Sequence, residues 1–376
     1  MPSATRLPTY AELHLPKRPD GKPDYSLCTG DEQAAKLCGP YTESLFLYRI
    51  WLAPNALFIA VFLLSLIHFA VIWFWTKRRG TSFFVSMTLG LLTEVIGYIG
   101  RVMGWQNQWN NGAFLMQICC LTIGPAFLAA GIYFCLSRIV NVYGRENSRI
   151  PPEWLPKIFI PCDVVSLILQ AAGGAIASIN SSKNPSATNT GKNIMVAGLA
   201  FQIVVLVAFF AVVVDLGFRI YRRHGTLGSY AAFDQNPQLV ALRHSNYFRG
   251  FLAALVLSAV AIFWRSCYRV AELKDGFTGE MMKHQGQFVA FEGCMIVFAV
   301  VVLNVFHPAL VFGALIDGEL KGNGTSVGRK GAEKLMSQSG GESDYEEVPN
   351  PRAAQPYDSY EFRDMRVQQH EAGRPV

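Results

Sequence analysis

Charged side chains lie inside several long apolar segments of this chain, where a bare charge is costly unless it has a partner or a function. Glu94, Tyr98 and Arg101 follow one another at spacings of four and three residues. In a helix, this spacing places all three side chains on one face. A carboxylate on that face can hold a cationic amine, and a guanidinium can hold phosphate or carboxylate. The pattern therefore predicts that a charged head group binds within an apolar environment.

Other apolar segments carry polar groups as well, and Arg265, Arg269 and Glu272 repeat the same spacing. We predict that these polar groups line a substrate-binding or translocation cavity: Glu94, Tyr98, Arg101, Asp163, Gln170, Gln202, Arg265, Arg269, Glu272, Glu292 and His307. Counting from the segment ends predicts two clusters at different depths. The middle or outer cluster holds Glu94, Arg101, Gln202, Arg265, Arg269, Glu272 and Glu292; the inner one holds His68, Asp163, Asn304 and His307. The alternative interpretation is that Glu and Arg form structural ion pairs between helices.

The elements that carry these side chains are seven apolar segments. Of the 376 residues, 51% are hydrophobic and 16% are charged, whereas soluble domains are roughly a quarter charged. At about 1.5 Å per residue, each segment can cross the roughly 30 Å hydrocarbon core as a helix. An open sheet would leave its edge groups unpaired in lipid. The sequence therefore predicts an all-α membrane protein, a seven-transmembrane helix bundle with spans near residues 51–75, 82–103, 113–137, 158–179, 193–218, 250–271 and 287–312.

Basic residues are concentrated in alternate loops. Lys77, Arg78 and Arg79 follow the first segment, whereas no basic residue lies between the second and third. The positive-inside bias predicts an N-terminus outside and a cytoplasmic C-terminus. It also accounts for the net charge of +6 without a nucleic-acid partner. The predicted domains are an extracellular head (1–47), a seven-helix domain (48–315) and a disordered cytoplasmic tail (316–376).

Two features of the outer side follow from this topology. Cys28 and Cys38 lie in the predicted extracellular head, so they are candidates for a disulfide. Asn180 begins an Asn-Ser-Ser sequon in an outside loop and is a glycosylation candidate. No Walker A pattern is present, and we predict neither a metal site nor a cofactor.

The polar residues also carry a family resemblance that covers roughly residues 45–315. The chain resembles the fungal lipid-translocating exporters, the RTA-like seven-helix proteins linked to aminocholesterol and sphingoid-base resistance. The matching residues are Glu94, Gly97, Tyr98, Arg101, Pro125, Ala126, Tyr133, Arg138, Asp163, Ser166, Gln170, Gly173, Gly174, Gly198, Leu199, Gln202, Arg265, Tyr268, Arg269, Glu272, Gly276, Glu292, His307 and Pro308.

The resemblance implies that the protein moves or releases amphiphilic lipids or lipid-like toxins, such as sphingoid bases and sterol derivatives, and so confers resistance. It implies a multi-pass protein of the plasma membrane, with the endosomal or vacuolar membrane as the alternative. The expected partners are membrane lipids or amphiphilic small molecules, and protein partners are unknown. No enzymatic activity is expected.

Two alternatives remain open at this stage. A seven-helix receptor or sensor of lipid stress would share the topology, but the third segment ends Ser137-Arg138-Ile139 without an acidic residue before the arginine. An intramembrane hydrolase like the alkaline ceramidases would need zinc. His68, Asp163 and His307 are candidate ligands for it, but a third histidine is missing, and catalytic zinc sites use three protein ligands.

Overall fold

The computed structural model describes residues 15–17, 24, 27–28, 38–39, 44–78, 80–180, 185–233, 237–274 and 279–312, with backbone only at 178–180, 185, 187, 227–232 and 237–238. Most of the predicted head (1–47) and all of the predicted tail (316–376) therefore lie outside the described residues. The two domain boundaries stay predictions.

Seven helices in the described part are long and apolar enough to cross a membrane, which confirms the predicted helix bundle. In chain order the helices are α1 (Leu52–Trp75), α2 (Thr81–Gln106), α3 (Asn111–Tyr143), α4 (Trp154–Asn180), α5 (Pro185–Ala232), the short α6 (Pro237–His244), α7 (Asn246–Leu273) and α8 (Gln285–Phe312). The spans are α1 to α5, α7 and α8. We call the end of the bundle where α2 ends and α3 begins the head end, and the opposite end the basic end.

The helix α5 is much longer than its predicted span of 193–218. Its 48 residues correspond to about 72 Å, against a hydrocarbon core of roughly 30 Å. Hydropathy marks only the part that lipid can surround, whereas a helix continues for as long as its backbone bonds and side-chain partners allow. Beyond the apolar stretch, Arg223 pairs with Glu146 at 2.7 Å, and Arg219 pairs with Asp215 at 3.0 Å.

Small residues bring the helices into close contact. The helix α4 packs along α5, and α2 packs along α3. A Cβ atom on Gly173 would lie 2.4 Å from the backbone nitrogen of Met195, and one on Gly191 would lie 2.5 Å from that of Ala177. Lipid removes the hydrophobic drive for helices to associate, so van der Waals contact between glycine faces is a main source of their attraction.

Replacing Gly173 by alanine should destabilise the bundle by about 1–3 kcal/mol, because the added methyl group would overlap rigid backbone of α5. The measurement is the thermal unfolding midpoint of the purified protein in detergent. The matched control is Gly174→Ala, since a Cβ there meets only the sulfur of Met195, at 3.8 Å. Equal unfolding midpoints for the two variants would contradict the proposed importance of the α4 to α5 contact.

A buried ion cluster beside an apolar cavity

Four of the predicted cavity residues form one buried ion cluster, which consists of Arg265, Arg269, Glu272 and Glu292. Arg265 of α7 contacts Glu292 of α8 at 2.5 Å, and Arg269 contacts Glu272 at 2.6 Å. The Nε atom of Arg269 also lies 3.9 Å from Glu292. All four residues are at most 3% exposed. Two positive and two negative side chains thus balance one another within the buried interior of the bundle.

The local geometry of α8 positions Glu292. Residues Val289–Cys294 form a π-helical segment between regular α-helical turns. Such segments are rare and often coincide with functional sites. On the other side of the cluster, Arg265 donates to the backbone oxygen of Leu121 in α3. The cluster therefore joins α3, α7 and α8.

Glu94 lies close to this cluster but outside its ion pairs. It is 1% exposed, and its Oε1 atom has no hydrogen-bond partner in the described part of the chain. A Cβ atom on Gly124 of α3 would lie 2.6 Å from that oxygen, and Glu94 interacts electrostatically with Arg265 and Glu292. Glu94 is therefore a buried carboxylate with a vacant acceptor atom, held against α3.

Arg101 and Tyr98 complete the predicted face of α2. Arg101 donates to Asn55 Oδ1 at 2.8 Å and to the Tyr48 hydroxyl at 3.1 Å, and its guanidinium lies 4.0 Å from the ring centroid of Phe288. Tyr98 is fully buried, with its ring 5.1 Å from that of Phe58. The sequence correctly groups these residues on one buried face. It does not identify Tyr48 and Asn55 as partners, because neither lies at a helical spacing from Arg101.

The polar residues expected in the inner cluster are divided between two places. The Tyr133 hydroxyl of α3 donates to Asp163 of α4 at 3.0 Å. His307 instead packs against the ring of Phe69 at 5.2 Å and accepts a hydrogen bond from the backbone of Ala309, and His68 contacts the backbone oxygen of Asn304 at 3.2 Å. Within the described residues, no three His, Cys, Asp or Glu side chains are grouped as a metal ion would require.

An amide network joins α4 to α5 through three residues that the sequence analysis had singled out. Gln170 donates to the Ser166 hydroxyl at 2.7 Å and to Gln202 Oε1 at 3.2 Å. Ser166 donates in turn to the backbone oxygen of Gly198 at 3.1 Å. Sequence reasoning placed Gln202 with the charged residues, whereas the structure places it in this network.

A cavity of about 410 Å³ lies between α3, α4, α5 and the end of α7. This volume is typical of small-molecule sites. The lining residues are mostly apolar: Leu115, Ile118, Cys119, Thr122, Ile123, Leu167, Gln170, Ala171, Gly174, Ala175, Met195, Leu199 and Leu273. Only Gln170 of these was predicted, because aliphatic lining residues look the same in sequence as lipid-facing ones.

The cavity adjoins the ion cluster. A smaller pocket contains Arg269 and Glu272, and it shares Ile118 and Leu273 with the apolar cavity. Phe46 and Tyr48, which precede α1, line that smaller pocket at the head end. A charged region and an apolar region thus share a wall, although the smaller pocket, at about 10 Å³, has room for about one water molecule.

The sequence predicts two modification sites on the outer side. Cys28 and Cys38 form a disulfide in the structure, with Cα atoms 6.0 Å apart. The side chain of Asn180 and the remainder of its sequon lie outside the described residues, so glycosylation stays a prediction.

Comparison with known proteins agrees with the resemblance seen in the sequence. The chain is 32% identical to the Sphingoid long-chain base transporter RSB1 of Saccharomyces cerevisiae, over 63% of this chain and 64% of that protein. It is 31% identical to Protein RTM1 of the same yeast, over 61% of this chain and 69% of that protein. It is 27% identical to Protoporphyrin uptake protein 1, also from this yeast, over 59% of this chain and 67% of that protein. The match thus spans somewhat less than two thirds of the length of the transporter.

No solved structure shows a significant match to this chain. The sequence profile of the family described as "RTA1 like protein" matches residues 87–314, which include the ion cluster, the amide network and the cavity. The chain therefore belongs to the RTA1-like family of multi-pass membrane proteins.

Proposed function

We propose that this protein moves sphingoid long-chain bases, or closely related amphiphiles, across a membrane. The observation that carries the proposal is the apolar cavity of about 410 Å³ that shares Ile118 and Leu273 with the pocket of Arg269 and Glu272. A sphingoid base has one cationic amine, neighbouring hydroxyl groups and a long alkyl chain. Its alkyl chain suits the apolar cavity, and its amine suits the charged residues beside the cavity, where the smaller pocket of about 10 Å³ would have to widen to admit the head group.

The charges of the site favour a cationic head. In the ion cluster, Arg265 and Arg269 have carboxylate partners, whereas Glu94 has an unpaired carboxylate oxygen. Glu94 lines neither the cavity nor the smaller pocket, so an ammonium group would have to pass into the ion cluster to reach that oxygen, where it would form a charge-assisted hydrogen bond about twice as strong as a neutral one. The identity of 32% with a protein named as a sphingoid base transporter supports the same substrate class.

The orientation and location complete the proposal. The positive-inside bias of the loops favours a head end outside and a C-terminus in the cytoplasm, and the cavity would then lie in the outer half of the bilayer. A protein that confers resistance by export would act at the plasma membrane. Two of the yeast relatives are named as a transporter and an uptake protein, which favours transport over catalysis.

Filling the cavity should abolish export. In Ala171→Trp, an indole ring would occupy the space that we assign to the alkyl chain, and Ala171 lines the cavity without being buried in the core. We expect most of the efflux of a labelled sphingoid base from expressing cells to be lost, at unchanged surface level. The measurement is efflux per surface molecule, compared with cells that lack the protein.

The matched control is Ala60→Trp, which places the same ring on an exposed position of α1 away from the cavity. Normal efflux from Ala171→Trp would contradict the assignment of the cavity. If expression of the unaltered protein leaves efflux at the background level, the transport function itself is wrong.

A further inference from the structure

A proline interrupts the backbone hydrogen bonds of α3 inside the bundle. Pro125 is buried in the interior of this helix, and proline has no backbone N–H. In a regular helix, the N–H of each residue donates to the carbonyl oxygen four positions earlier, which here is that of Leu121. The ring of a proline also clashes with that carbonyl. The Leu121 oxygen therefore lacks its helical donor, and a backbone acceptor at this depth needs another one.

Arg265 of α7 supplies the missing donor. Its Nη2 group donates both to the Leu121 oxygen and to Glu292 Oε1. A guanidinium Nη group carries two hydrogens, so these two acceptors occupy both of them. Arg265 is 2% exposed and Leu121 is 1% exposed, so the bond between them replaces contacts that water would otherwise supply.

Glu94 is a competing acceptor for the same guanidinium. Glu94 and Arg265 interact electrostatically, yet Glu94 Oε1 has no hydrogen-bond partner within the described residues. Opposite charges attract more strongly in a protein interior than in water, so a guanidinium hydrogen without another acceptor would be drawn to this carboxylate. In the structure, the Leu121 oxygen takes that hydrogen instead.

A second proline within a span has no such partner. Pro161 lies inside α4, and the residue four positions earlier is Lys157. No side chain in the described part of the chain donates to the Lys157 oxygen. The capture of a buried cation is thus a feature of the break in α3 and not of every proline in a helix of this protein.

We propose that Pro125 is a positioning residue that acts on Arg265 through the Leu121 oxygen. By leaving that oxygen without a helical donor, the proline holds Arg265 on Glu292 and keeps Glu94 without a counterion. A regular helix at this point would return the oxygen to backbone bonding, and Arg265 would then pair with Glu94 as well. The consequence for transport rests on the proposed function, in which a free Glu94 holds the substrate amine.

Thermal unfolding of the purified full-length protein in detergent tests the inference without any transport step. The two substitutions are Pro125→Ala, which restores the backbone N–H, and Glu94→Gln. In the unaltered protein, Glu94→Gln should not lower the unfolding midpoint, because Glu94 Oε1 has no partner to lose. In Pro125→Ala, the same change should lower the midpoint by about 3 °C or more, since it removes a charge-assisted bond to Arg265.

The matched control is Pro161→Ala, which restores a backbone N–H in α4 outside the ion cluster. In this background, Glu94→Gln should again leave the midpoint unchanged. Pro125→Gly restores the same N–H as Pro125→Ala and serves as a second variant. An equal effect of Glu94→Gln with and without the proline would overturn the inference. A drop of the midpoint on Glu94→Gln in the unaltered protein would also overturn it, even if neither proline variant folds.

Efflux of a labelled sphingoid base gives the functional readout. We expect Pro125→Ala to lose most of its efflux at unchanged surface level, because Arg265 would then occupy the Glu94 carboxylate, whereas Pro161→Ala should retain it. Normal efflux from Pro125→Ala would overturn the role of the proline in transport. Background efflux from the unaltered protein would instead contradict the proposed function, and the comparison of midpoints would still decide the role of Pro125 in the ion cluster.

Discussion

Replacing Glu292 by alanine should destabilise the protein by about 3–5 kcal/mol, because the change leaves Arg265 as a buried charge without its counterion. The pair is at most 3% exposed, and Arg265 is fixed on its other side by the backbone of α3. The guanidinium therefore has no short path to water. We expect a large drop in the unfolding midpoint in detergent and a reduced yield of folded protein.

Two further variants separate the ion pair from other effects of this substitution. In Glu280→Ala, an exposed pair with Lys283 outside the spans is removed instead, and no measurable change is expected, since exposed pairs contribute little. The double variant Glu292→Ala with Arg265→Met removes both charges and should recover much of the lost stability. A double variant as unstable as Glu292→Ala alone would show that the unpaired charge is not the cause.

Replacing Glu94 by glutamine should abolish most sphingoid base efflux while the protein remains folded at the cell surface. The substitution keeps the shape of a side chain that is 1% exposed and removes its ability to carry a negative charge. Under the proposed function, this charge holds the ammonium group of the substrate. The measurement is efflux per surface molecule, together with the unfolding midpoint of the purified variant.

Two glycine substitutions in α3 test whether efflux depends on the position of the Glu94 carboxylate. A Cβ at Gly124 would lie 2.6 Å from Glu94 Oε1, so Gly124→Ala must move the carboxylate without removing its charge. Gly131→Ala, seven residues further along α3, would meet the Met87 sulfur at 3.0 Å and leave Glu94 in place. We expect impaired efflux from Gly124→Ala and near-normal efflux from Gly131→Ala. Full efflux from Glu94→Gln would show that the carboxylate has only a structural role.

The sequence by itself determined the architecture. Each span is a local property, because some twenty consecutive apolar residues are needed to cross the bilayer wherever the other helices lie. The seven predicted spans are confirmed for this reason. Helical spacing also correctly predicts that Glu94, Tyr98 and Arg101 share a buried face of α2, since the period of the helix does not depend on its neighbours.

The ends of the helices are harder to predict from the sequence than the spans. Hydropathy identifies only the residues that lipid surrounds. It therefore does not predict that α5 continues through polar residues to Ala232. The π-helical segment Val289–Cys294 was not predicted either, because π-helical turns have no distinctive residue pattern. That segment is what positions Glu292.

Only the tertiary structure decided which polar groups meet. Arg265 and Arg269 lie four residues apart on the same face of α7, yet Arg265 pairs with a different helix and Arg269 pairs chiefly within its own turn. Likewise, Gln170 and Gln202 form one network across α4 and α5, although counting along each helix gives only their depths. Partner choice depends on how each helix is rotated and which helix lies beside it, and close contacts such as that between Gly173 and Gly191 set both. The cavity arises in the same way, as the space left between four helices whose side chains, taken singly, are indistinguishable from residues that face lipid.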